Sequence, residues 1–114
     1  EDYWRGIIDG DGSIGFRKIA TKITPYISLI TTSDNLIFNY LRYMKDVFEK
    51  QFICNRNKRD NAYNFLVESR RAQQICSLLY YDGCFGMQRK INAAKSVKEW
   101  DYSISTLTPT PLTT

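Results

Sequence analysis

The chain has 114 residues, 43% of them apolar and 14% aromatic, and its 16 Lys+Arg against 12 Asp+Glu give a formal net charge of +4. That length fits one domain able to bury roughly two-thirds of its unfolded surface, and the basic balance leans toward polyanionic partners. The absence of histidine excludes a His base, a His zinc ligand and a Ser-His-Asp triad within the chain. No apolar run approaches the about 18 residues that a membrane span needs. Cys54, Cys76 and Cys84 are odd in number and lack C-x-x-C spacing, so a disulfide framework or a zinc site is not expected; they suit a reducing, intracellular compartment.

In chain order, Tyr3 to Ile8 reads as a short buried helix stopped at Asp9-Gly10-Asp11-Gly12. Ser13 to Ala20 alternates, with Ile14 and Phe16 on one face and Arg17 on the other. Tyr26 to Thr32 is β-branched, and the two runs suggest a hairpin broken at Thr24-Pro25. Ser33 or Asp34 caps a helix whose Leu36, Ile37, Tyr40, Leu41, Met44, Val47 and Phe48 fall at helical spacing. Phe52 and Cys54 alternate toward a polar tip, Asn55 to Asn61, and Tyr63 to Val67 returns, which predicts a second hairpin. Ser69 opens a shorter helix past Cys76, Asp82-Gly83 breaks the chain, and Met87 to Trp100 supports a last helix. Residues 103–114 are Thr/Pro-rich without periodicity and read as a tail or linker. The order α-β-β-α-β-β-α-α is α+β, an antiparallel sheet with helices on one face.

The informative stretch is Trp4-Arg5-Gly6-Ile7-Ile8-Asp9-Gly10-Asp11-Gly12-Ser13-Ile14-Gly15. Gly10 to Gly15 matches G-x-G-x-x-G, but that fingerprint needs a strand before it and a helix after it. Here the order is reversed, and Asp11 would put a carboxylate in the anion cradle. Asp9, Asp11 and Ser13 mimic the start of a calcium loop, which fails on Ile14 at its sixth position and Ala20 at its twelfth. A third reading uses the whole stretch. Gly6 and Gly10 lie on one helical face and let another helix approach closely. If that helix is a two-fold copy, two Asp11 carboxylates meet on the dyad, and crowded acids of this kind are either costly or neutralised by an oxygen-seeking divalent cation. Such a metal beneath a sheet able to hold DNA defines phosphodiester hydrolysis.

Trp4 to Gly12 resembles the LAGLIDADG motif of homing endonucleases. Gly6, Ile8, Asp9, Asp11 and Gly12 match, Gly10 stands for the alanine, and Trp4 and Arg5 depart from the first two letters. The likeness extends over about Tyr3 to Lys98 through the element order, and Leu79 to Gly83 with Arg89-Lys90 resembles the family's late region. The resemblance implies a DNA-binding/endonuclease domain over 1–102, with two motif copies supplied by a homodimer or by a second motif-bearing half of a longer chain. It implies that Asp11 binds the essential metal with the Gly10 carbonyl, that Asp9 joins Gly6 and Gly10 in the helix interface, and that Lys90, or Arg89 in another alignment, stands near the scissile phosphates. The metal implied is Mg²⁺, with Mn²⁺ able to substitute and Ca²⁺ able to bind without supporting cleavage. Ser33 and Ile37 fall at positions that often carry polar support, and Ile37 departs from that pattern. The implied activity is metal-dependent cleavage of long, roughly palindromic double-stranded DNA sites, serving intron or intein homing in a bacterial or phage cytoplasm or an organelle. The alternative is an RNA maturase or a non-cleaving DNA-binding regulator of the same fold.

Residues two apart in a strand share a face. With Ile14, Phe16, Ile27, Leu29, Phe65 and Val67 turned to the helices, the other face carries Arg17, Thr21, Thr24, Tyr26, Ser28, Asn55, Asn64 and Glu68. A curved sheet can enter the major groove, where such groups read base edges, and Arg17 is the leading base reader. Arg56, Lys58 and Arg59 at the second tip suit phosphates. Any half-exposed sheet also shows a polar outer face.

Overall fold

The computed structural model describes residues 1–101 apart from the Ile19 side chain. Its elements are α1 (Asp2–Asp11), β1 (Gly12–Ile19), β2 (Lys22–Thr31), α2 (Asp34–Phe48), β3 (Tyr63–Glu68), α3 (Arg70–Leu79) and α4 (Gln88–Lys98). The strands form one antiparallel sheet in the order β1-β2-β3. The architecture is α+β, as the sequence implies. The tail at 103–114 lies outside the described residues.

The sheet register places Ile14 opposite Ile27 and Ile27 opposite Val67, with Leu29 opposite Phe65. These side chains form the inner face and merge with Trp4, Ile8, Ile37, Tyr40, Met44, Ile75, Leu79 and Val97 in one core. α2 reaches that core through large side chains, the Tyr40 ring meeting Phe65 edge-on at 6.0 Å. It begins at Ser33, whose hydroxyl accepts from the Leu36 amide at 3.1 Å, satisfying one of the orphan donors of a helix start. Phe16 lies on the inner face by register but is 41% exposed. Burial falls along that face from Ile14 to Phe16 to Lys18, so the helical cover thins toward the hairpin.

Two local expectations change. Thr24-Pro25 is not a break, because β2 runs through it. The carbonyl of Pro25 accepts from the Ser69 amide at 3.0 Å, and the N and C=O of one strand residue share a side. The missing proton therefore faces the point where β3 has already ended, where proline is tolerated. The loop between β1 and β2 is instead Ala20-Thr21, with Ala20 at φ 53, the positive φ that two-residue hairpin loops favour.

The second hairpin does not form as a ladder. Residues 51–55 adopt no strand, and only an isolated bridge joins Arg56 to Tyr63. The sheet has three strands where the sequence suggested four. The cause lies in Phe52, whose ring packs on Phe48 at 6.0 Å and on Phe65 at 5.4 Å. That side-chain packing fixes the segment against α2 and the core, while Ile53 is left 80% exposed. The turn that follows is closed by its own bonds, Asn57 N–H to the Ala62 carbonyl at 2.8 Å and Asn61 N–H to the Asn57 carbonyl at 3.1 Å.

Candidate functional site

Each face of α1 has a different neighbour. Trp4 and Ile8 enter the core, the Trp4 ring lying 5.0 Å from Tyr40 and 5.9 Å from Tyr43. Arg5 and Asp9, one turn apart, hold the loop between α3 and α4. Arg5 Nη1 donates to the Leu79 carbonyl at 3.1 Å and to Asp2 Oδ1 at 2.8 Å, and its Nε donates to the Phe85 carbonyl. Asp9 Oδ1 accepts from the Tyr80 hydroxyl at 2.5 Å and Oδ2 from the Met87 amide at 2.9 Å. Burial, followed by that bond to Asp9, pushes the Tyr80 phenol up from its ordinary range. The two departures from the motif thus serve the fold, Trp4 in the core and Arg5 on the loop. The sequence carried no local signal for the second, since its partners lie 74 and 80 residues away.

Gly6 and Gly10 form the remaining face. Both are exposed, and a Cβ at either would meet nothing within 4 Å. Tyr3, one turn before Gly6, is 61% exposed. Gly12 differs, because a Cβ there would stand 2.8 Å from the Ile8 side chain and 2.9 Å from its Cα. Glycine at 12 is what lets the chain turn from α1 into β1 this tightly.

Asp11 is the final residue of α1 and is exposed. Among the described residues no hydrogen bond reaches its carboxylate from within the chain. Lys90 behaves in the opposite way. It is 5% exposed, and its Nζ donates to the carbonyls of Ile8 at 2.8 Å, Asp9 at 3.3 Å and Gly12 at 2.7 Å. Burial and then the adjacent Arg89 hold its ammonium below the ordinary lysine range, against the pull of Asp9 and Asp11. Ile37, where the resemblance expects polar support, is 1% exposed and belongs to the core.

No group of three or more His, Cys, Asp or Glu side chains among the described residues could hold a metal ion. One chain offers the Asp11 carboxylate and the Gly10 carbonyl, oxygen donors of the kind that a hard cation takes. These two donors suit such a cation in kind but do not by themselves make up a coordination set.

The outer face of the sheet carries the polar set that alternation predicts. Arg17 stands opposite Thr24, Tyr26 opposite Glu68, Ser13 opposite Ser28, and Asn64 opposite Ile30. Ser13 Oγ and the Tyr26 hydroxyl are 2.9 Å apart. Arg17 lies 3.8 Å from Glu68 Oε2, an oxygen shielded from solvent and without a hydrogen bond, so charge alone holds the guanidinium there. Ser28 is buried beneath its neighbours at 5%. Thr21 sits in the hairpin turn, and Asn55 is outside the sheet.

At the second tip Lys58 and Arg59 are exposed, while Arg56 is engaged. Its guanidinium donates to the carbonyls of Asn61 at 2.5 Å and Thr32 at 2.8 Å and to Asp34 Oδ1 at 2.8 Å, and it lies 4.5 Å from the Tyr63 ring centre. The Tyr63 hydroxyl donates to the same Asp34 oxygen at 2.6 Å. That bond first, and Arg56 second, holds the Asp34 carboxyl below its ordinary value. A groove of about 520 Å³ runs between α2 and residues 51–56, past Phe38, Arg42, Lys45 and Ile53. No sequence pattern marks this groove, because it exists only where the second hairpin does not.

Helices gathered on the inner face of a short antiparallel sheet, opened by a helix ending in Asp11, constitute a fold shared with a solved homing endonuclease. The crystal structure of the homing endonuclease I-TnaI shares it with a TM-score of 0.57, covering 85% of this chain and 67% of that one at 14% identity. At that identity the likeness is one of fold. No protein-family model matches the sequence, and no curated protein matches it. No helix among the described residues is long and apolar enough to cross a membrane.

Proposed function

We propose that this chain is a divalent-metal-dependent DNA endonuclease of the LAGLIDADG type, active as a homodimer on long, roughly palindromic duplex sites. The observation that carries the reading is the contrast at the end of α1. Asp9 gives both oxygens to the fold, while Asp11 keeps an exposed carboxylate free of hydrogen bonds next to an open two-glycine face.

A second copy packed on Gly6 and Gly10 brings its own Asp11 to the same place. The Asp11 carboxylates and Gly10 carbonyls of the pair hold the ion, which when bound neutralises phosphate charge and lowers the pKa of a water nucleophile. The sheet's outer face takes the duplex. Arg17 exchanges its loose contact with Glu68 for a base edge, and Lys58 and Arg59 hold phosphates.

A non-cleaving binding module is the second reading, an RNA maturase or a DNA-binding regulator. It is favoured by the buried Ile37 and by Lys90, whose donors are already engaged. Incubating the protein with a random-insert plasmid library and Mg²⁺, then sequencing the ends, separates the two. Discrete double-strand cuts support the endonuclease; retention of DNA without cutting in Mg²⁺ or Mn²⁺ supports the module.

A further inference from the structure

The last carbonyls of a helix have no intrahelical partner, and that end carries partial negative charge. α1 ends unfavourably by this rule, with Asp11 as its final residue and no basic residue in its last turn. The compensating cation comes from α4. Lys90 is the third residue of that helix, and its ammonium meets the carbonyls of Ile8, Asp9 and Gly12. An ammonium has three protons, and here three carbonyls take them. α4 is itself fixed to α1 at its start, because the Met87 amide donates to Asp9 and the Met87 carbonyl accepts from the Lys90 amide at 2.9 Å.

In sequence the three carbonyls bracket Gly10 and Asp11, the two residues at the end of α1 that carry the proposed ion ligands. We infer that Lys90 is a positioning residue: it fixes the turn from α1 into β1, so that the Gly10 carbonyl and the Asp11 carboxylate stand in place, and it contacts no phosphate. Reaching a phosphate would take a donor from all three carbonyls, of which Ile8 alone is known to keep another, the Gly12 amide. The inference rests on the reading of Asp11 and Gly10 as ion ligands, and it assigns Lys90 a role different from the phosphate contact that the family resemblance implies. Groups that orient ligands from behind in this way matter to affinity for the ion although they never touch it.

The test uses the full chain, Lys90→Met and Lys90→Arg. In Lys90→Met, amide exchange at Gly12 and Ser13 accelerates while exchange in β2 and α3 is unchanged. Mn²⁺ binding to the complex with a short mixed-sequence duplex weakens by about 10–100-fold, and duplex affinity without divalent ions stays within about twofold. Lys90→Arg, which keeps a charge and several donors, recovers part of the protection and of the Mn²⁺ affinity. The inference is overturned if Lys90→Met leaves exchange at Gly12 unchanged and instead weakens duplex binding with a salt slope lower by about one. Should Lys90→Met fail to fold, side-chain ammonium NMR of the wild type decides. A slowly exchanging Lys90 signal that duplex leaves in place supports the clamp, and one that moves on adding duplex sinks it. A wild type that binds no Mn²⁺ defeats the ion reading alone, since exchange and the ammonium signal still report on the clamp.

Discussion

Tyr80 donates its hydroxyl to Asp9 at 2.5 Å, and this bond separates two acids that lie two residues apart in the sequence. Tyr80 is 2% exposed, and Asp9 is also the acceptor for the Met87 amide. An asparagine at 9 presents one oxygen to two donors and turns its NH₂ toward the other. Asp9→Asn is expected to cost about 1–3 kcal/mol of stability, the range for a lost charged hydrogen bond in a partly buried site. Asp11→Asn, at an exposed position, is expected to change stability by less than about 0.5 kcal/mol. Urea midpoints at constant m-value check both, and equal losses for the two variants would refute the division of labour.

The open glycine face makes an unusual combination of outcomes testable. A side chain at Gly6 or Gly10 meets nothing within 4 Å in the single chain, and glycine in a helix interior is unfavourable by roughly 0.5–1 kcal/mol relative to alanine. Gly6→Leu and Gly10→Leu are therefore expected to leave the isolated fold as stable as before, or slightly more so. The same substitutions push a second helix away and should abolish self-association. Sedimentation velocity with and without duplex measures this; leucine variants that associate like the wild type would place the interface elsewhere.

Arg17 and Lys58 should fail in different ways. Arg17 is free to leave Glu68, which it approaches only to 3.8 Å, and a bidentate contact to one base is worth about 1–3 kcal/mol of discrimination. Arg17→Ala is expected to relax preference at one position per half-site. Lys58→Ala is expected to weaken all sequences alike and lower the salt slope by roughly one. Selection on randomised duplexes at two salt concentrations distinguishes them, and identical profiles would mean that the outer face does not read bases.

Asp34 joins the start of α2 to the start of β3 by accepting from Tyr63 and Arg56. Its carboxyl is held below the ordinary 3.8 by the Tyr63 hydroxyl first and Arg56 second. A folded-state pKa below the unfolded one means that the contribution is complete above pH 3.8 and disappears as pH falls through the lowered value. The melting temperatures of wild type and Asp34→Asn should therefore differ at neutral pH and converge in acid. A gap that persists below the lowered pKa would show that Asp34 acts by packing rather than by charge.

What could be read in advance followed local rules. The alternation of β1 and β2 placed Arg17, Thr24, Tyr26 and Ser28 on one face because strand side chains have period two, and Ser33 marked α2 because a hydroxyl at that point satisfies an orphan amide. The second hairpin is not decided by local rules, because alternation at Phe52 and Cys54 says nothing about which neighbour the aromatic ring prefers, and Phe48 and Phe65 outcompete a ladder. Arg56 reads as an exposed tip cation, yet its fork is filled by the Asn61 carbonyl across the tip and by the Thr32 carbonyl and Asp34 carboxylate at the start of α2. Lys90 was legible as a basic residue near Asp11, but its burial depends on a helix 79 residues away in sequence. The motif fixed where the acid stands, and only the packed chain distinguishes the acid that is exposed from the one that is not.

Asp11→Asn separates the endonuclease from a binding module. Asparagine is nearly the size of aspartate, so the turn at Gly12 and the Lys90 contacts to backbone carbonyls are preserved. Removing an anion from the negative end of α1 relieves the helix dipole, so the variant should fold at least as well. It also removes repulsion between two acids and the duplex phosphates, and affinity in the absence of divalent ions should hold or rise. A neutral amide oxygen is a much weaker ligand for a hard cation, so the affinity for Mn²⁺ should fall. Cleavage should drop by several orders of magnitude, since neither charge balance at phosphorus nor an activated water is then supplied. Gel shift, Mn²⁺ titration and plasmid nicking on one preparation read all three quantities. Cleavage undiminished in Asp11→Asn would move the active site away from α1. If the wild type binds duplex but never cuts in Mg²⁺ or Mn²⁺, the exposed carboxylate is left as a remnant in a binding protein.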